Sequence, residues 1–283
     1  MNPVISITSP GAMGAAIGGR LVANGVKVLS SFSGRSAASR ARAAANGLTD
    51  APDIELAQAD FLLSIVPPKE ALAVARRLAP ALSSTARKAI YVDCNAVSPA
   101  TAAQIGKILA PTGASYVDGG IIGGPPRDGY TPRLYVSGEQ AKSVLALNRF
   151  GLDARVVEGG IGAASALKLS YAGINKGVIG LGAAMVLAAK RAGVEEALMR
   201  ELSESQRALL AQLSRAVPDM FAKAERWAPE MNEIADYAGP GGEAEIYAGL
   251  AKFYERLAAN LKGSHEEIDA LHEFFSGGRK AAE

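Results

Sequence analysis

Short apolar runs alternate with helix-like stretches through the first half of the chain, and a purely helical period takes over in the second. The run Val4-Ile5-Ser6-Ile7 leads through Ser9-Pro10-Gly11-Ala12-Met13-Gly14 into a helix expected over Ala15–Asn24. A second strand is expected at Val26–Phe32. After a cluster of arginines come the strand Ala59–Val66, stopped by Pro67-Pro68, and the helix Glu70–Leu78. Then follow Ala89–Cys94, the helix Pro99–Leu109, the strands Ser115–Asp118 and Arg133–Ser137, and the helix Glu139–Leu147. Continuous apolar runs between helices indicate a parallel sheet covered on both faces. Ligands of such sheets bind beyond the carboxyl ends of the strands. That rule gathers Ser9, Arg35, Pro67, Asn95 and Gly120 around one crevice.

From Gly162 onward the pattern stays helical. Ala163–Ala192 reads as one helix of roughly 45 Å at 1.5 Å per residue, and Gly193 stops it. Further helices are expected at Val194–Ser214, Pro218–Tyr237, Glu243–Leu261 and Glu266–Phe275, the last opened by a Ser264/Glu267 capping box. The fold class is therefore α/β, with a mostly parallel sheet domain over residues 1–160. An all-helical domain over 161–283 follows, joined to it by the long helix. Eight of the sixteen aromatic residues fall in the last 63 positions. Such a face suits a subunit interface, so a two-fold homodimer is expected, although core packing is the ordinary role of any one of them.

Composition narrows the partners. A net charge of +2 is too small to imply a nucleic-acid partner. Cys94 is the only cysteine, which leaves neither a disulfide framework nor a cysteine zinc site. His265 and His272 fall on a glutamate-rich helix where a solvated face is expected, and no metal is expected. The apolar run 177–189 is too short to span a bilayer, so a membrane is not expected as a partner. Met1-Asn2-Pro3 enters the first strand directly, and the cytoplasm is the expected compartment.

The turn after the first strand carries the chemistry. Its S-x-G-x-x-G pattern lets backbone N–H groups approach a pyrophosphate at a helix N-terminus; the plainer reading is a strand–turn–helix whose glycines serve packing. Ser9 replaces the first glycine and is small enough if its φ is negative. An NAD-selective site needs a carboxylate about 20 residues on, yet the first 49 residues hold no aspartate or glutamate. The second strand runs instead into Ser33-Gly34-Arg35-Ser36. A guanidinium and two hydroxyls suit a 2′-phosphate, so the expected cofactor is NADP (NADPH). Ser9, Gly11, Ala12, Met13, Gly14, Ser33, Arg35, Ser36, Val66, Pro67 and Asn95 are its candidate ligands.

The long helix opens Gly160-Ile161-Gly162 and reaches Lys168 among alanines, leucines and glycines. Lys168, Tyr171, Ala172 and Asn175 share a face by helical spacing. Such a lysine is either part of a solvated stripe, which spacing alone favours, or a desolvated general base.

These motifs together resemble the β-hydroxyacid dehydrogenase and 6-phosphogluconate dehydrogenase superfamily over nearly the whole chain. Met13-Gly14 matches the end of its G-x-G-x-M-G loop, and Asp93-Cys94-Asn95 its D-x-S/N segment. Asp118-Gly119-Gly120-Ile121-Ile122-Gly123-Gly124 matches its substrate loop, and Gly160 to Lys168 its catalytic-lysine helix. The segment 226–235 resembles a bacterial subgroup whose C-terminal domain has no settled function.

The resemblance implies a Rossmann-type cofactor domain and hydride transfer between the nicotinamide and a hydroxy acid or related alcohol or carbonyl. Lys168 would carry the oxygen-bound proton, and Asn95, Ile122, Gly123, Gly124, Tyr171 and Asn175 would line the substrate. Ile122 stands where the superfamily has a carboxylate-binding serine, which implies a bulkier or less polar substrate. Tyr171-Ala172 replaces an asparagine pair. Asn175 stands where the decarboxylating branch has a proton-donating glutamate, so no decarboxylation is expected. Two alternatives stay open: an imine reductase, whose relatives generally lack the lysine, and a non-catalytic nucleotide-binding regulatory protein. Arg127, Tyr130 and Arg133 either bind an anionic substrate group or solvate a turn.

Overall fold

Alternate residues of each strand feed two different cores, one on each face of a single sheet. Ile5, Ile7, Val28, Leu63 and Val92 pack with Ile17 and Leu21 on one face. Leu29, Leu62 and Tyr91 pack with Val74, Leu78 and Ile105 on the other. Burial on both faces is why these strands read as continuous apolar runs rather than as alternation. The computed structural model describes residues 2–282, with side chains to residue 277.

The strands are β1 (Val4–Ile7), β2 (Lys27–Ser30), β3 (Thr49–Asp50), β4 (Phe61–Ser64), β5 (Ile90–Asp93), β6 (Tyr116–Ile122), β7 (Arg133–Ser137) and β8 (Asp153–Val156). They form one sheet in the order β3-β2-β1-β4-β5-β6-β7-β8. All neighbours are parallel except β6 and β7. The loop between that pair carries no crossover helix, and a direct return can only run antiparallel. The helices of this part are α1 (Ala12–Ala23), α2 (Ala37–Ala45), α3 (Asp53–Leu56), α4 (Ala71–Ser84), α5 (Pro99–Leu109) and α6 (Ala141–Val144).

Four of these elements escape the hydrophobic pattern. β3 has two residues, both exposed, and β8 buries only Ala154 between Asp153 and Arg155. α2 buries only Ala43 and begins where the Ser36 hydroxyl accepts the Ser39 N–H at 3.2 Å. α3 is a single turn. Conversely, β6 runs on to Ile122, so Gly119 and Gly120 pair with Val136 and Tyr135 inside the sheet rather than forming a loop at its edge.

The chain divides into two compact units, Met1–Leu169 and Ser170–Glu283. The helix α7 (Ala163–Ala192) gives its first turns to the first unit, which therefore runs nine residues past the boundary read from the sequence. The second unit adds α8 (Glu195–Ser205), α9 (Arg207–Met220), α10 (Ala224–Ala238), α11 (Gly242–Lys262) and α12 (Glu266–Ala282). The helix expected over 194–214 breaks at Gln206, where φ is −135° and ψ 43°. Pro218 lies inside α9 instead of opening a helix, because the buried stripe Leu210, Leu213, Val217, Met220 carries the helix past it. The expected capping box is absent. Asn260 Oδ1 accepts the Ile268 N–H, and Glu267 pairs with Arg256 at 2.8 Å.

None of the eight aromatic residues in the last 63 positions is exposed. Trp227 and Tyr254 meet edge to face at 5.4 Å, and Phe274 and Phe275 at 5.1 Å. Five of the eight are buried in the core of the second unit, and Tyr237, Tyr247 and Phe253 are half-buried.

Candidate active site

The carboxyl ends of β1, β2, β4 and β5 lie level, because Ile7 registers with Ser30 and Leu63, and Ser64 with Asp93. The loops that follow share one edge of the sheet. After β1, α1 begins at Ala12, three residues earlier than its pattern suggested. Ala12, Met13 and Gly14 thus form its first turn. No side chain caps it, so its leading N–H groups have no protein partner within the helix. A Cβ at Gly14 would overlap the Ser9 carbonyl oxygen, while the space beside Gly11 is open. Ser9 meets its condition, since His265 is the only non-glycine residue with positive φ among the described residues. The turn is held rigidly: Thr8 N–H donates to Leu63 O, Thr8 Oγ1 accepts from Ile65 N–H, and Arg42 reaches Pro10 O. An uncapped helix start beside an open glycine fits a pyrophosphate.

At the end of β2, Arg35 closes a turn onto Phe32 O through Gly34, whose φ is +68°. The Arg35 Nε is buried with no hydrogen-bond partner, a donor still waiting for an acceptor. Ser36 is already engaged as the cap of α2, and Ser33 is exposed. The expectation that no carboxylate lies near this strand end needs correction. Asp50, at the end of the neighbouring β3, accepts the Phe32 N–H at 2.8 Å through Oδ1.

Asn95 is buried and committed. Its Oδ1 accepts the Val66 N–H at 2.7 Å, and its amide donates to Ser64 Oγ and to Asp93 Oδ1. It therefore braces the loop carrying Val66 and the exposed Pro67 against β5. Asp93 itself is fully buried, and its other oxygen has no partner. Burial, with Asp118 adding repulsion, outweighs the hydrogen bonds from Asn95 and pushes its pKa up to about 7. Burial likewise pushes the Cys94 thiol up, which keeps it unreactive.

The lysine stands on β6. A Cβ on Gly120 would lie 2.8 Å from Lys168 Cβ and 3.1 Å from its Cγ, so the lysine stem rests directly on the glycine backbone. Lys168 is half-buried. Ile122, two residues on, points to the same face of the strand, whereas Ile121 joins the core on the α1 face. Asp118 anchors the helix. Its Oδ2 accepts the N–H groups of Gly162 and Ser165 and the Ser137 hydroxyl, each at 3.0 Å, and its Oδ1 accepts Ser165 Oγ at 2.5 Å. Ser137 Oγ in turn accepts the Ala164 N–H. One buried carboxylate thus caps α7 and fixes the rotation that lays Lys168 on Gly120. Sequence reasoning noted Asp118 only as the first residue of a motif, and nothing local marked Ser137.

The loop after Gly123-Gly124 folds back on itself. The Tyr130 hydroxyl packs against Gly123, whose φ is +129°. Arg127 stacks on the Tyr130 ring at 5.4 Å. Arg20 holds the loop through Thr131 Oγ1 and the carbonyls of Arg127 and Tyr130. Tyr130 and the backbone of Arg127 are therefore parts of a fastened turn. Tyr171 and Asn175 belong to the second unit, where Asn175 donates to the Tyr171 carbonyl and Tyr171 is half exposed. Lys176 pairs with Glu230 beneath the Trp227 ring. Burial lowers its pKa against the opposing pull of Glu230.

Comparison with known proteins gives the family and the fold. An uncharacterized 28.5 kDa protein in the 7S RNA 5′ region of Methanothermus fervidus is 30% identical over 147 residues, 52% of this chain and 55% of that protein. The chain thus spans about half the length of this curated relative. A conserved protein of unknown function, described as structurally similar to 3-hydroxyacid dehydrogenases, superimposes with a TM-score of 0.71 at 26% identity, covering 95% of this chain and 99% of its own. The fold is shared with Mycobacterium tuberculosis 3-hydroxyisobutyrate dehydrogenase (TM-score 0.67, 16% identity, 92% and 95% covered). It is also shared with a Myxococcus stipitatus imine reductase in complex with NADP+ (TM-score 0.54, 17% identity, 96% and 99% covered). Residues 189–257 match a domain of unknown function. Residues 5–151 match the NAD binding domain of 6-phosphogluconate dehydrogenase, and by that match the chain belongs to this family of nicotinamide-nucleotide-binding proteins.

Proposed function

We propose that this protein is an NADPH-dependent oxidoreductase that interconverts a hydroxy acid, or a related alcohol, with its carbonyl partner, without decarboxylation. The observation that carries the reading is Lys168 laid along Gly120 on β6, at the end of a capped and immobilised helix. The α1 N-terminus and the open space at Gly11 would take the pyrophosphate, and Arg35 Nε the 2′-phosphate. When bound, the nicotinamide supplies the hydride donor or acceptor. The protein's share is positioning and the proton. Lys168 Nζ would take the hydroxyl proton during oxidation or return it during reduction, while Ile122 offers the substrate an apolar flank. Asn95 would act through the Val66 loop it braces. The Asn175 amide is too weak an acid to protonate an enediol, which supports a reaction that ends at the carbonyl.

A second cofactor reading has one observation in its favour. Asp50 is a carboxylate of the kind that accepts from a ribose 2′-hydroxyl, so NADH would also be accommodated. The lysine favours carbonyl over imine chemistry.

The test is Lys168→Met, assayed with NADPH against a panel of β-keto acids and with NADP+ against the matching β-hydroxy acids. NADPH affinity should hold while kcat falls by about 10²–10⁴, the range for a positioned acid–base group. Full turnover in the variant would end the reading, as would an unaltered protein that binds NADPH and reduces no carbonyl compound.

A further inference from the structure

Strand register brings a second cation to the face of the sheet on which Lys168 lies. Residues directly opposite each other in an antiparallel pair point to the same side, and so do residues two apart along one strand. Gly120 and Ile122 of β6 stand opposite Tyr135 and Arg133 of β7. All four therefore share the face on which the lysine stem rests, while Ile121, Leu134 and Val136 fill the core on the other. The Ser137 hydroxyl, two residues beyond Tyr135, confirms the orientation by reaching Asp118 Oδ2 across the same pair of strands.

Arg133 is exposed, although β7 is an interior strand. Its register partner on β8 is Asp153, the acid best placed to neutralise it. Asp153 instead gives both oxygens to Arg155, at 2.8 and 2.9 Å. Among the described residues no carboxylate lies within ion-pair distance of the Arg133 guanidinium. The arginines of the neighbouring turn are occupied, Arg127 on the Tyr130 ring and Arg20 on the carbonyls it holds. Arg133 alone of this group has its charge to spare.

We propose that Arg133 recognises a carboxylate of the substrate, which is therefore a hydroxy or keto acid and not a neutral alcohol or carbonyl compound. The inference rests on the proposed reaction, with Lys168 as its proton carrier. Side chains at directly opposite positions start about 4.5–5.5 Å apart, and at diagonal positions about 7–8 Å. The first figure separates Arg133 from Ile122, and the second separates it from the Gly120 position that the lysine stem covers. Both side chains are long enough to close on one small acid. Ile122 has no atom that can hydrogen-bond a carboxylate, so the anchor has to come from the neighbouring strand. A guanidinium takes a carboxylate through two parallel hydrogen bonds, which fixes direction as well as charge. With the carboxylate on Arg133 and the hydroxyl at Lys168, the carbons between them lie along Ile122.

The experiment is calorimetric titration of short-chain β-hydroxy acids, and of the corresponding primary amides, into the NADPH-saturated protein. Hydroxy acid and NADPH are both reduced, so binding is read without turnover. The unaltered protein should take the acid more tightly than the amide. Arg133→Met should weaken the acid by about tenfold to a hundredfold, the worth of a charge-assisted hydrogen bond, and leave the affinities for amide and NADPH as they were. Arg133→Lys keeps the charge without the paired geometry and should fall between; it decides the matter if the methionine variant loses its fold. Equal affinity for acid and amide in the unaltered protein, or an equal loss of both in the variant, would overturn the proposal. Oxidation of the same acids with NADP+ is measured separately. Binding that depends on Arg133 without any oxidation would end the proposed reaction and keep the carboxylate site, so the two failures are distinguishable.

Discussion

The stem of Lys168 occupies the space that a side chain at position 120 would need, with Cβ and Cγ of the lysine 2.8 and 3.1 Å from where that Cβ would be. Gly120 pairs with Tyr135 in the sheet, so its backbone cannot retreat. The lysine and the glycine therefore fit together only as they are, with Asp118 setting the helix that brings them together.

Gly120→Val should push Lys168 away without touching the nucleotide loops. Displacement of a reacting group by an ångström costs about 10²-fold in rate. A fall of that order in kcat with NADPH affinity retained is the expected result. Equal losses in both quantities would mean that the sheet itself had been disturbed.

Lys176 invites comparison with Lys168, and its role differs. It is a buried partner of Glu230 under Trp227, with about an eighth of each side chain exposed. Lys176→Met strands the Glu230 carboxylate and should destabilise the protein by about 3–5 kcal/mol. Lys176→Met/Glu230→Gln should recover much of that loss. Chemical denaturation of the three proteins measures both effects, and a single variant as stable as the unaltered protein would contradict the assignment.

Arg35 and Asp50 should pull cofactor choice in opposite directions. Arg35→Ala removes the unpartnered donor and should cut the preference for NADPH over NADH by roughly tenfold to a hundredfold, as for a charged hydrogen bond of ~1.5–3 kcal/mol. Asp50→Asn keeps an acceptor for Phe32 N–H and removes the charge, so the preference should rise. Fluorescence titration with both nucleotides decides it; a preference unmoved by either change would remove this end of β2 from the cofactor site.

Asp93 should give stability a dependence on pH with an unusual sign. Its pKa is near 4 in the unfolded chain and is pushed up to about 7 in the fold by burial. Between those values the fold keeps a proton that the unfolded chain has released. The contribution is therefore complete below pH ~4 and lost as pH rises towards 7. Asp93→Asn should flatten that slope, so its Tm relative to the unaltered protein should climb from pH 5 to pH 8. Parallel Tm–pH curves for the two proteins would refute this.

Much of the framework was legible without coordinates. β1, β2, β4 and β5, the turn at Ser9–Gly14 and the 30-residue α7 follow from local pattern, because strands buried on both faces and a long helix need particular residues at adjacent positions. The short edge strands β3 and β8 were not legible, since two or four residues with exposed charges leave no period to read. Pro218 misled because a stripe of buried contacts outweighed one missing N–H.

For the site, the division follows distance along the chain. The amino-acid sequence by itself determined that a glycine turn precedes a helix, that Arg35 follows the second strand, and that Lys168 sits in an apolar stretch of the long helix. Only the tertiary structure decided what those groups face. Asp50 reaches Phe32 across 18 residues, Asn95 reaches Val66 across 29, and Asp118 reaches Ser165 across 47. The lysine's seat on Gly120 and the burial of the aromatic rings arise in the same way. Local propensity fixes periods and turns over a few residues, while a hydrogen bond or a packing contact is settled by which strands pair and in what register.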